Sequence, residues 1–441
     1  MSILERVQHQ YHTGDTAVEL DGITAEMRQH LKNALVQELG LTTVADLASG
    51  SDVKRARTEL RVACESLINT EEFDRLSYEQ KQSLSEQVVD EICGLGPLQP
   101  LLDNEQVSEI MVNGAGSLFF EENGKLKRAQ RVFENDEQIL TVIDRILAPL
   151  GRRLDDSNPI VNARLPNGYR VNAVSSALAI DGTAVTIRKF SDRIVDLAQL
   201  IALGSIPPWF ARLLRWAVKL RCDIAVAGGT GSGKTTLLNA LSREIGKDER
   251  IITIEDSAEL RFERSRNLVR LEVRNESLEG SGAVSIRELV KNALRMRPDR
   301  IIVGEVRGSE TIDMLQAMNT GHDGSLTTLH AGTADEAILR LVLMARFGMD
   351  LPAELIEEQI ATALDLIVMS QRMPDGSRFI TSLHEVLRAE NGGVSLHECI
   401  HFDRAKRTWS LVAVPHFLGQ AIEDGALSKG EVSAWQASCT A

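Results

Sequence analysis

The stretch Ala227–Thr236, AGGTGSGKTT, decides the fold. Gly228, four intervening residues, then Gly233, Lys234 and Thr235 give the complete spacing of a phosphate-binding loop. A backbone that wraps a polyphosphate must converge its N–H groups on the oxygens, so glycines stand where a Cβ would obstruct the approach. Lys234 supplies fixed positive charge for the β/γ-phosphates, and the Thr235 hydroxyl is placed to ligate Mg²⁺. Gly229, Thr230, Gly231 and Ser232 fill the cradle, and Thr236 follows it. The flanks agree: Cys222–Ala227 (CDIAVA) reads as a short buried strand, and Thr236–Ile245 (TLLNALSREI) has helical spacing.

Working downstream, Arg250–Ile254 (RIITI) and Arg300–Val303 (RIIV) are β-branched strands. The first ends in Glu255-Asp256, with Glu259 beyond, and the second in Gly304-Glu305. Carboxylates just past the carboxyl ends of parallel strands lie where open α/β sheets bind ligands. Glu305 therefore suits a Walker B position, holding Mg²⁺ through its waters or polarising the attacking water. Between the strands, Ser285–Glu288 has capping-box spacing, and Ile286, Leu289, Val290, Ala293 and Leu294 form one apolar face. In TGHDGSLTTLHAG (320–332), His322 and His330 flank a strand at Leu326–Leu329, and a neutral imidazole at a strand end can hydrogen-bond a γ-phosphate or its water. Thr333–Glu336 is a further capping box opening an apolar helix, Ala337–Phe347, and Leu366–Met369 reads as the last strand of the sheet.

Upstream, residues 1–75 read as a helical segment without a chemical motif. Residues 76–190 read as a smaller α/β domain, with strands at Val107–Val112 and Ser117–Glu121, a helix at Glu137–Leu150, and a turn at Asn167-Gly168 between two more runs. Arg164, Arg170, Arg188 and Lys189 sit on its alternating strands, where arginines ordinarily face solvent. Residues 191–208 read as a linker, 209–441 as the nucleotide domain, and about 371–441 as a β-rich extension of it. His397-Glu398-Cys399-Ile400-His401 fits H-E-x-x-H literally. Its flanks alternate as a strand does, which would put the histidines about 13 Å apart rather than on one helical face.

The 441 residues allow two or three domains. A net charge of −14 argues against a chain that coats nucleic acid. No run reaches the ~18 apolar residues of a membrane span, and the first residues lack a signal-peptide core, so a cytoplasmic location is expected. Five scattered cysteines without a CxxC pair indicate neither a disulfide framework nor a cysteine zinc site.

Eight segments together resemble the secretion ATPases of the type II/type IV superfamily, most closely the CpaF/TadA type that powers tight-adherence (Tad, or Flp) pili: GLGPLQPLL, SEIMVNG, ARLPNGYRVNAV, TIRKF, GGTGSGKTT, TIEDSAEL, RMRPDRIIVGEVRG and AMNTGHDGSLTTLHA. The resemblance implies an α/β fold with a RecA-like C-terminal domain and a smaller PAS-like N-terminal domain. It further implies ATP and Mg²⁺ as ligands, a homo-hexameric ring, and work on inner-membrane pilus platform proteins from a peripheral, cytoplasmic position. It assigns Glu259 to water activation, Glu305 to Walker B, His322 and His330 to a histidine box, and Arg170 and Arg188 to the phosphates. Zinc is not expected, because the cysteine-rich insertion of type II secretion ATPases is missing, and direct nucleic-acid binding is not expected given the acidic balance. Two other readings stay open: a conjugation-class type IV secretion ATPase moving DNA–protein complexes, and a nucleotide sensor that does not hydrolyse.

Overall fold

The chain divides into two units, residues 1–191 and 192–441. The computed structural model describes residues 22–49, 52–70, 73–165, 167–189, 196–262, 265–274, 282–390 and 392–439. Among the described residues no helix is long and apolar enough to cross a membrane.

The first unit begins with four helices, Ala25–Leu39, Leu41–Ser49, Val53–Ile68 and Tyr78–Cys93. Leu31, Leu35, Leu60, Leu84 and Val88 close their common core. The helical part thus extends past residue 75. The signal for its last helix is local: the Ser77 hydroxyl accepts from Gln80 N while the Gln80 side chain returns to Ser77 N, a capping box.

Six strands follow: β1 Val107–Asn113, β2 Leu118–Glu122, β3 Lys125–Arg128, β4 Ile160–Arg164, β5 Arg170–Val174 and β6 Ala184–Arg188. They form one antiparallel sheet in the order β3-β2-β1-β6-β5-β4. Helix Asp136–Leu147 lays Ile139, Val142, Ile143 and Ile146 on the sheet's apolar face, against Ile110, Val112, Val171 and Ile187. The bundle is tied to this layer by Asp90 and Glu91, which pair with Arg57 and Arg131 and with Arg28, Lys32 and Arg131 respectively.

The second unit is a doubly covered sheet of nine strands: β7 Ile224–Gly228, β8 Arg250–Glu255, β9 Asn267–Glu272, β10 Arg300–Val303, β11 Leu326–His330, β12 Leu366–Arg372, β13 Arg378–Arg388, β14 Val394–Asp403 and β15 Thr408–Leu411. Their order is β15-β14-β13-β12-β7-β11-β10-β8-β9. The pairs from β12 to β9 are parallel, and those from β12 to β15 antiparallel. Every residue of β7 is buried. Ile224 and Val226 enter the core on one face, Ala225 and Ala227 that on the other, which is why the strand reads as continuously apolar.

Three expectations are corrected here. β12 does not end the sheet but lies beside β7, and three antiparallel strands extend it, since an antiparallel neighbour needs only a tight turn such as that at Asp375-Gly376, where Gly376 has φ +85°. The end of the chain is helical rather than β-rich: helices His416–Glu423 and Lys429–Ser438 pack on the sheet, the second opened by a Ser428/Glu431 capping box. Trp435 is fully buried edge-on to Trp216 and donates from Nε1 to Trp209 O at 2.8 Å. Of the supposed linker, residues 191–195 lie outside the described residues. The remainder holds helix Leu197–Ala202, whose Leu197 and Leu200, with Ile206, are buried in the second unit's core.

Candidate nucleotide site

The loop after β7 is shaped by contacts that only glycine permits. A Cβ on Gly228 would fall 2.2 Å from Ser370 O of β12 and 2.5 Å from Ser232 Oγ. Gly233, at φ +98°, turns the chain into helix Lys234–Ser242. The turn is held from outside as well, by Ser370 Oγ donating to Ser232 O at 2.7 Å and Arg378 Nε donating to Gly231 O at 2.8 Å. Gly229 and Thr230 are exposed; Thr235 and Thr236 stand half-buried in the first helical turn.

Lys234 is buried, and its Nζ donates to Gly228 O at 3.1 Å and Gly229 O at 3.0 Å. Burial lowers its pKa from the ordinary value, opposed by the charge of Glu305. Nζ also lies 3.4 Å from His330 Nδ1. A lysine only donates, so His330 accepts through Nδ1 and carries its proton on Nε2. That nitrogen is 2.8 Å from Glu305 Oε1. The alignment falls short of a hydrogen bond, which leaves Glu305 Oε1 buried without a formal partner. Burial, then the Lys234 charge, lowers the His330 pKa, so the imidazole between ammonium and carboxylate is neutral near pH 7. Glu305 Oε2 accepts from Arg307 Nε at 2.8 Å. The parallel register explains the meeting: His330 is the Cα partner of Gly228, and β10, which Gly304 and Glu305 follow, pairs with β11.

The acidic loop after β8 is anchored twice. Glu255 Oε1 accepts from Glu259 N at 2.7 Å and Leu260 N at 2.8 Å, and Asn239 Oδ1, on the phosphate-loop helix, accepts from Arg261 N at 2.8 Å. These bonds fix where the Glu259 backbone stands, and the Glu259 charge acts on both Lys234 and Arg307. Glu255 itself is buried, and burial pushes its carboxyl up to about 7. Gly304 packs directly on it; a Cβ there would lie 2.9 Å from Glu255 Cγ.

A raised carboxyl pKa has a definite sign. The stabilising preference for the neutral acid is complete below the unfolded pKa of about 4.3 and is lost as pH rises through about 7. Glu255→Gln keeps the Oε1 acceptor and removes the ionisation. Its free energy of unfolding should therefore exceed that of the parent at pH 8, by up to about 3 kcal/mol, and match it near pH 4. Denaturant melts of both proteins at the two pH values measure this; a gap of equal size at both contradicts it.

Lys234, Glu305 and His330 thus stand together, and the Glu259 charge acts on Lys234. His322 does not join them. β11 runs parallel to β7, so His322, before the strand, lies at the sheet edge opposite the loop, its Nδ1 3.1 Å from Ala317 O. Arg170 and Arg188 are Cα partners on neighbouring strands of the first unit, and Arg188 Nε donates to Glu109 Oε1 at 2.7 Å. The histidines of H-E-x-x-H lie on strand β14, as the alternation implies. Two arginines escaped the sequence reading. Arg378 grips the loop carbonyl, and Arg372, its Cα partner on β12, stands within 3.4 Å of where a Gly231 Cβ would be. Only the pairing of β12 with β7 brings them there, and no local motif marks it.

The described geometry agrees with what the chain is similar to. The family model for type II/IV secretion system proteins matches residues 91–408. A putative conjugal transfer protein of Mycobacterium tuberculosis is 38% identical over 321 residues, covering 71% of this chain and 90% of that protein. The type IV secretion system protein VirB11 of Brucella abortus is 36% identical over 302 residues, covering 62% and 83%. Among solved structures, the VirB11 ATPase of Brucella suis in complex with sulphate is 32% identical with a TM-score of 0.37, covering 66% of this chain and 92% of that one. The family model over residues 91–408 and the 38% identity to the conjugal transfer protein show that the chain belongs to the type II/IV secretion system protein family.

Proposed function

We propose that the chain is a motor ATPase that hydrolyses ATP with Mg²⁺ and works as a homo-hexamer. The observation that carries this reading is the chain of contacts from Lys234 through His330 to Glu305 at the mouth of the phosphate loop. The donor set fits a Mg²⁺–triphosphate: a hydroxyl on Thr235 at the first turn of the loop helix, and on Glu305 a buried oxygen without an aligned donor. Thr235 and Glu305 would hold the ion, which would supply positive charge for the phosphate oxygens. Lys234 binds those oxygens, the neutral His330 keeps Glu305 and Lys234 in register, and Glu259 orients and deprotonates the attacking water. Arg170 and Arg188 supply positive charge to the phosphoryl group, an effect worth about 10³–10⁵ in rate in comparable enzymes.

The load we assign is the assembly of Tad-type pili at an inner-membrane platform reached from the cytoplasm. Similarity to conjugal transfer and type IV secretion proteins over 62–71% of the chain favours one second reading, a conjugation-class ATPase that moves DNA–protein substrates. Steady-state phosphate release by the purified chain, with its mass measured in the presence of Mg²⁺–ATP, tests the reading. Turnover by a species of six times the chain mass supports it. Nucleotide binding without phosphate release returns the chain to a sensor, and a monomer at micromolar concentration refutes the ring. Deletion of the gene separates the loads: loss of pili supports the first, loss of DNA transfer the second.

A further inference from the structure

The H-E-x-x-H pentad does not serve protease chemistry, yet the fold gathers another set of metal-binding side chains around it. Between β13 and β14 the register slips: Ile400 faces Leu383 and Glu398 faces His384, so Cys399 is an extra residue with no opposite number. Such a β-bulge re-aims the side chains beside it. His401 pairs with Ser382 and His397 with Glu385. Directly paired residues share a face, and positions 382 and 385 point to opposite faces, so the bulge parts the two histidines. His401 turns to Glu398, its Nδ1 2.9 Å from Oε1.

His397 turns instead to Glu385, a buried carboxylate on the inner face. Its Nδ1 lies 3.7 Å from Glu385 Oε2 and has no hydrogen-bond partner although it is buried. The fully buried Cys399 brings Sγ to 3.7 Å from the same oxygen. His416, at the start of helix His416–Glu423, brings Nδ1 to 2.8 Å, and its ring centroid is 5.3 Å from that of His397. The ligand atoms of Glu385, His397 and Cys399 all lie within 4.8 Å of one another.

The geometry points to a zinc site formed by Glu385 Oε2, His397 Nδ1, Cys399 Sγ and His416 Nδ1, which pins the C-terminal helices to the antiparallel edge of the sheet. Tetrahedral zinc with bonds of about 2.0–2.3 Å sets ligand atoms about 3.3–3.8 Å apart, the spacing two of these contacts already have. The third is a hydrogen bond that lengthens by about half an ångström when the ion replaces its proton. His416 can make that move, because its side chain is 65% exposed at a helix start, and the same exposure gives the ion an entry path. One thiolate, two imidazoles and one carboxylate form a borderline-soft set that suits zinc and disfavours Mg²⁺ and Ca²⁺. A cation also accounts for a buried carboxylate that gathers two imidazoles and a thiol around one oxygen. Binding forms the Zn–S bond as the thiol proton leaves Sγ for solvent. The site departs from the expectation of a zinc-free chain because it is assembled from two strands and a helix rather than from one spaced motif.

The test uses the full chain, stripped with a chelator and free of nucleotide, titrated with Zn²⁺ alone and with Co²⁺ alone. One zinc per chain should survive desalting, and Co²⁺ should give the intense visible bands of four-coordination with a near-ultraviolet thiolate charge-transfer band. Cys399→Ser should remove that band, and His416→Ala, at an exposed position that tolerates truncation, should weaken Zn²⁺ binding by at least about tenfold. A wild-type chain without the charge-transfer band overturns the site. So does a band unchanged in Cys399→Ser, or a zinc affinity unchanged in His416→Ala.

Discussion

Replacing Lys234 by alanine should lower ATP turnover by at least about 10²–10³-fold, the range set by removing one preorganised donor from a transition state. The ammonium is held beside the loop by two of its carbonyls at 3.0 and 3.1 Å, so the positive charge stands in place before phosphate oxygens arrive. Alanine also removes the positive neighbour that keeps His330 neutral, since the Lys234 charge is the second cause, after burial, of its lowered pKa. The variant should still fold: the loop turn is held independently by Ser370 and Arg378, and the apolar side chains of β7 are untouched. Phosphate release checks the prediction, with circular dichroism confirming the fold. Turnover within a few-fold of the parent would remove the loop from catalysis.

The parts of this site that were legible in the sequence are those a short segment fixes by itself. A glycine spacing, an apolar run ending in a carboxylate and a histidine at a strand end are local features. Parallel pairing then carries them to one edge, because ligands collect at the carboxyl ends of such strands. The same rule shows why His322 does not belong with His330. Residues on either side of a strand lie at opposite edges of the sheet, so a symmetric pair in the sequence is divided in space.

What stayed hidden depends on neighbours far apart in the chain. Arg372 and Arg378 reach the loop only because β12 inserts beside β7, more than 130 residues after it. The slip at Cys399 appears only once β14 is paired, and it reverses the grouping that strict alternation would give to His397 and His401. The C-terminal helices are a different matter. Ser428 and Glu431 are a capping box written in the chain, and the strand-like alternation of residues 372 to about 414 drew the reading of the extension toward β structure.

Replacing Glu259 by glutamine should lower turnover by about 10²–10⁴-fold, the contribution of a positioned general base. The amide keeps the size of the side chain and loses the ability to take a proton, so ATP affinity should change only a few-fold, and single-turnover hydrolysis should show the loss in the chemical step. The backbone around Glu259 is held by Glu255 Oε1 and Asn239 Oδ1, so its placement is a property of the fold rather than of the nucleotide. Glu255→Gln provides the comparison. Glu255 supports the loop through an oxygen that glutamine retains, and its own Oε2 is buried without a hydrogen-bond partner, so this variant should lose far less activity than Glu259→Gln. The reverse ranking would move water activation to Glu255, whose carboxyl at about 7 is also tuned for proton transfer, and would leave Glu259 as a charge that adjusts Lys234 and Arg307.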